Sequence, residues 1–107
     1  MSIATILTDL YEGFGPETEG EDYALGVKEY EREISAEQAV YWGEVNAARA
    51  VFDCVEWDGL LNEAIFKVKG EADPNLLTDR LLEAAALAVA YAESVQRQTL
   101  AFNGEEE

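Results

Sequence analysis

Nine consecutive apolar residues, Ala84-Ala85-Ala86-Leu87-Ala88-Val89-Ala90-Tyr91-Ala92, constrain this chain more than any other feature. A helix that is apolar all round needs cover on most of its sides, whereas a helix at the edge of a small monomer keeps one wet face. The run falls far short of the roughly 20 residues needed to span a bilayer, so the cover must be protein. A chain of 107 residues has limited surface to offer, and small side chains let a second backbone come close. The run therefore predicts a homodimer with its seam near Ala85, Ala88, Val89 and Ala92. The other reading makes this helix the central strut of a monomeric bundle.

The remaining patterning is helical as well. Ile3, Ile6, Leu7 and Leu10 fall at helical spacing behind Ser2, and Gly13, Gly15 and Pro16 stop that segment. Residues 17–22 read as an acidic loop, and Tyr23 to Glu33 fits helix and irregular strand about equally. Ser35-Ala36-Glu37-Gln38 has the form of a capping box, which predicts a helix from Ser35 to about Val55. Tyr41, Val45, Ala48, Phe52 and Val55 make one stripe along it, widened by Val40, Ala47, Val51 and Cys54, and this face is expected to meet the core. Trp57-Asp58-Gly59 reads as a break with Asp58 capping the next helix, which carries Leu60, Leu61, Ala64, Ile65 and Val68 and ends at Gly70. Asp73 and Pro74 then suit the N-cap and first turn of a last helix running to about Leu100. No segment shows sustained alternation, so the expected class is all-α: a small helical bundle, dimeric through its Ala-rich last helix. A single domain is expected, with an acidic N-terminal segment at 1–34, a helical core at 35–102 and an acidic tail at 103–107.

Charge narrows the function. Seven Lys and Arg face 23 Asp and Glu, a formal net charge of -16. Phosphate backbones are repelled by such a chain, so nucleic acid is not an expected ligand. The absence of His excludes imidazole metal sites and His-based nucleophile pairs, and a single Cys excludes thiolate zinc sites and internal disulfides. The start of the chain lacks the basic region of a secretory signal, and no polybasic flank serves a peripheral membrane helix, so a cytoplasmic protein is expected. Cys54 fits this as a small buried hydrophobe in a reducing compartment. The charge is also uneven: ten acids against two bases fall in the first 37 residues, half of the net total.

Carboxylates are the remaining candidates for chemistry. Magnesium or manganese clusters use acids at i, i+3 or i+4 on facing helices. Glu63 and Glu83 sit among apolar neighbours, Asp79 lies one turn before Glu83, and Glu44 one turn after Val40. These four are the expected inward acids, with Lys67 and Arg80 as salt-bridge partners for them; the plain alternative is four solvated surface acids.

Three segments carry a resemblance: Glu31-Arg32 with Gln38 and Trp42-Gly43-Glu44; Trp57-Asp58-Gly59-Leu60-Leu61-Asn62-Glu63; and Asp73-Pro74 with Leu81-Leu82-Glu83 and the alanine run to Glu93. Over about 65 residues the chain resembles small phage and actinobacterial proteins related to the MazG-like all-α nucleotide pyrophosphohydrolases. The resemblance implies a dimeric bundle that splits nucleoside triphosphates into monophosphate and pyrophosphate, with magnesium held by a Glu-Glu-x-x-Glu helix and a Glu-x-x-Asp helix. The chain departs from both motifs. Asn62-Glu63-Ala64-Ile65-Phe66 keeps one acid of three, and Arg80-Leu81-Leu82-Glu83 keeps one more. Two carboxylates beside an Arg make a poor magnesium cage.

The fold implied by the resemblance therefore outlasts its activity, and the expected function is binding. A dense anionic surface steers association with Lys/Arg-rich grooves, including those that ordinarily hold DNA or RNA. The expected partner is a basic host protein or complex in a bacterial cytoplasm, inhibited by a small phage-type protein that mimics nucleic acid and needs no cofactor. Glu17, Glu19, Glu21, Asp22, Glu29, Glu31 and Glu33 would supply the mimicking acids, with Asp53, Glu56 and Asp58 at the helix break. The alternative is a divergent magnesium-dependent pyrophosphohydrolase using Glu63 and Glu83, helped by Asp79 or Glu44. A structural accessory protein, oligomeric through the alanine helix, is the third.

Overall fold

The computed structural model describes residues 20–106, with side chains for 20–100, and their regular structure is helical, without strands. The helix expected behind Ser2 lies outside the described residues. Three helices follow in order: α1 (Glu29–Val51), α2 (Trp57–Gly70) and α3 (Pro74–Glu106). Two compact units divide the chain, Ala24–Leu87 and a second to which Ala88–Glu107 belongs.

Local chemistry explains where the helices start and stop. α1 begins six residues before Ser35, behind Lys28, whose side chain makes no cap bond. Glu29 and Glu31 in the first turn favour the positive end of the helix dipole, and nothing between them and Ser35 breaks a helix. Ser35 is therefore an interior helix residue and is buried, not a cap. α1 ends earlier than expected, at Val51. There Asp53 adopts a left-handed backbone (φ 52°). Its amide donates to the Ala50 carbonyl at 3.2 Å, and the Cys54 amide to that of Arg49 at 2.9 Å. This is a Schellman closure with Asp where glycine is usual. Cys54 consequently lies beyond the helix and is exposed, contrary to its expected burial.

Trp57 opens α2 instead of breaking the chain, and Glu56, not Asp58, occupies the N-cap position. Gly70 ends α2 as expected. The next start also follows its sequence signal: the Asn75 amide donates to Asp73 Oδ1 at 2.9 Å, and Pro74 is the first residue of α3. The α3 backbone continues past Leu100 to Glu106, through most of the expected acidic tail.

In the unit Ala24–Leu87, α1 and α2 form an antiparallel hairpin in which small and polar residues make close approaches across the seam. Ala36 faces Gly70 so closely that a Cβ on Gly70 would lie 2.9 Å from the Ala36 backbone. Gly43 faces the Glu63 carboxylate, Asn46 faces Gly59, and Arg49 reaches Glu56. This corrects the sequence expectation about α1. Tyr41, Ala48, Phe52 and Val55 are exposed, as are Val40, Ala47, Val51 and Cys54, and Val45 alone of that stripe is half-buried. Phe52 retains 79% of its exposure and Val51 80%. The seam is inverted because the glycines allow backbones to meet at a distance that large side chains would forbid.

In the second unit, Val89 is buried at 7% exposure and Ser94 is buried near it in sequence. Gln98 donates to the Ser94 hydroxyl at 3.1 Å, and the Thr99 hydroxyl donates to the Val95 carbonyl one turn back at 2.8 Å. Along the alanine run, Ala85, Ala86 and Ala88 are exposed and Ala84, Leu87, Ala90, Tyr91 and Ala92 half-buried. Among the described residues no helix is long and apolar enough to cross a membrane.

Candidate functional site

The four expected inward acids separate on folding. Glu63 is half-buried on the α2 face toward α1, while Glu44, Asp79 and Glu83 are exposed. Both Glu63 oxygens are engaged: Asn46 Nδ2 donates to Oε1 at 2.9 Å, and Lys67 Nζ meets Oε2 at 2.8 Å. The Lys67 hydrogen bond, and next the Asn46 one, hold the Glu63 carboxyl below its ordinary value of 4.5 against the opposing effect of burial. Glu83 pairs with Arg80 at 3.4 Å, so Lys67 and Arg80 take the salt-bridge roles read for them.

That donor set does not fit magnesium, which seeks near-octahedral oxygen ligands. The Glu63 carboxylate is paired with an ammonium and an amide N–H instead of sharing a cation with other carboxylates. Among the described residues no three acids or cysteines converge as they would around a metal ion.

What surrounds Glu63 is a structural node. Asn46 is buried and spans the hairpin, donating also to the Gly59 carbonyl at 3.0 Å. A Cβ on Gly59 would lie 2.5 Å from Asn46 Oδ1 and 2.8 Å from Arg49 Nη1. Arg49 in turn lies over the Trp42 ring, 5.9 Å from its centre, and pairs with Glu56 at 3.8 Å. Across the turn into α3, Glu71 accepts from the Asp73 amide at 3.3 Å and from Arg80 Nε at 3.4 Å. A small cavity of about 150 Å³ opens beside the Ala36–Gly70 crossing, between Phe66, Lys67 and Arg80. Spacing does not mark Asn46 as central; the one available signal is glycine at 43 and 59, which stand in the motif segments but not for catalysis.

The acids expected to bind a partner lie at the surface. Glu21, Asp22, Glu29, Glu31, Glu33, Asp53, Glu56 and Asp58 are all exposed, while Glu17 and Glu19 lie outside the described residues. Tyr30 donates its hydroxyl to Glu31 at 3.1 Å, and that carboxylate pushes the phenol pKa up. Of the expected seam, Ala85 and Ala88 are exposed, Ala92 is half-buried, and Val89 is buried within its own protomer.

Comparison with protein families, characterised proteins and solved structures finds no match for the chain.

Proposed function

We propose that this protein acts without catalysis, by docking its acidic surface on a Lys/Arg-rich surface of a bacterial host protein or complex and competing there with nucleic acid. The observation that supports it is the exposure of the eight described acids named above, on a chain of net charge -16. Glu29, Glu31, Glu33 and Asp58 stand on helices, whose backbone needs no ordering at binding, and a dense negative surface favours fast and salt-sensitive association. A phage-type inhibitor working in the host cytoplasm is the setting this chemistry suits. Homodimerisation through α3 belongs to the same proposal, with Ala85 and Ala88 as its exposed small residues.

Immobilised protein is challenged with lysate of a bacterial host at low and high salt. The expected result is a basic protein retained at low salt, released at high salt and displaced by duplex DNA. Retention of nothing basic at low salt sinks the proposal. In parallel, purified protein is incubated with deoxynucleoside triphosphates and magnesium or manganese. Pyrophosphate release that disappears in Glu63→Gln would replace the proposal with the hydrolase reading.

A further inference from the structure

The outward face of α1 presents an apolar line that is exposed along its length. Tyr30, Ile34, Tyr41, Ala48 and Phe52 are separated by four, seven, seven and four residues, which keeps them in register over the length of the helix. All five are exposed, from 53% for Tyr41 to 79% for Phe52 among the large ones. Glu29, Glu33, Glu37 and Glu44 form a row along one edge of this line, and none of the four pairs with a described Lys or Arg. Near its N-terminal end the line borders a cleft of about 200 Å³ lined by Val27, Glu31, Ile34, Ser35 and Lys69. That is smaller than the roughly 300–1,000 Å³ of a small-molecule site and suits a single side chain.

We propose that this face is the docking site for one amphipathic helix of a partner protein, with an apolar spine seated on the line and Lys/Arg on the flank that meets the glutamate row. The proposal rests on the reading that the chain binds basic protein surfaces, and it names the element that is bound. Charge complementarity selects this occupant. A second copy packed antiparallel on the same line about a two-fold axis would bring the two glutamate rows together, on chains that already repel. Anionic lipid and nucleic acid meet the same repulsion. A strand has no purchase either, because the backbone groups of α1 are spent within the helix and offer no edge for strand addition. A helix can pack its side-chain ridges between those of α1, anchored by one residue in the cleft.

Two fluorescein-labelled peptides of identical composition test the idea: one places Leu at the a and d positions of three heptads with Lys and Arg at the flanks, and the other scrambles that order. Fluorescence anisotropy with the full chain at low salt should show the amphipathic peptide binding about tenfold or more tighter than the scramble. Ile34→Ser with Tyr41→Ser, both at exposed positions, should abolish that preference. Glu33→Gln with Glu37→Gln and Glu44→Gln should flatten its salt dependence. Leu82→Ser, exposed on α3, should change neither, and circular dichroism should show each variant folded. Equal binding of the two peptides would overturn this proposal while leaving the broader acidic-surface reading intact. Failure of both to bind at low salt would overturn that reading as well. A dimer that becomes monomeric in the Ile34/Tyr41 variant would name a second copy as the occupant and end the proposal.

Discussion

Asn46 shows how much one residue carries in a seam this small. Its amide serves Glu63 and the Gly59 carbonyl together, so Asn46→Ala removes both of these bonds across the hairpin seam and leaves the Glu63 carboxylate to Lys67. A loss of about 1–3 kcal/mol in urea-unfolding free energy is expected. Gly70→Ala should cost a similar amount, about 1–3 kcal/mol, although alanine is the better helix former, because the new methyl meets the Ala36 backbone at 2.9 Å and backbone cannot swing aside. A stabilised Gly70→Ala protein would show that the crossing is looser than described. Glu63 adds a pH dependence of definite sign. Its carboxyl is held below the ordinary 4.5, so its contribution is complete above that value and lost as pH falls through the lower, folded one. The stability gap between wild type and Glu63→Gln should therefore be constant near neutrality and narrow below pH 4.5. Urea titrations across that range measure it, and a gap indifferent to pH would deny the ion pair any role.

At the scale of elements, what is legible in the sequence is what local chemistry decides. The stop at Gly70 and the Asp73-Pro74 start can be read directly, because cap bonds form between residues two or three apart. The start of α1 is misread because a capping box competes with acids upstream that are equally good at beginning a helix. The face of α1 is misread for a different reason: apolar spacing marks surface that gains from burial, without saying whether the cover lies in the same chain. Here glycine at 43, 59 and 70 lets the polar side close first, and the apolar side is left outward. The Glu63 environment is half legible, since Lys67 one turn away on the same helix can be read from spacing and Asn46 on the other helix cannot. The C-terminus of α1 offers a further check. Asp53 holds a left-handed conformation that glycine adopts without strain, so Asp53→Gly should raise the unfolding free energy by about 0.5–1 kcal/mol. A loss instead would mean that the Asp53 side chain has a structural duty.

For the whole molecule, charge and exposed apolar surface have to be considered together. A net charge of -16 opposes any self-association that buries acids, yet the alanine face of α3 is nearly free of them. Sedimentation equilibrium should give twice the 11.8 kDa chain mass, and Ala88→Glu should return the monomer. A monomeric wild type would remove dimerisation from the proposal. The order in which the hairpin assembles follows from its seam. The contacts from Arg49–Glu56 through Asn46–Gly59 and Gly43–Glu63 to Ala36–Gly70 enclose progressively longer stretches of chain, so closure from the turn outward meets the smallest entropic cost at each step. Folding then resembles a zip drawn from the α1–α2 turn. In stopped-flow kinetics Asn46→Ala should chiefly slow folding and Gly70→Ala chiefly hasten unfolding, because the first pair is made early on the way in and the last is the first to part on the way out.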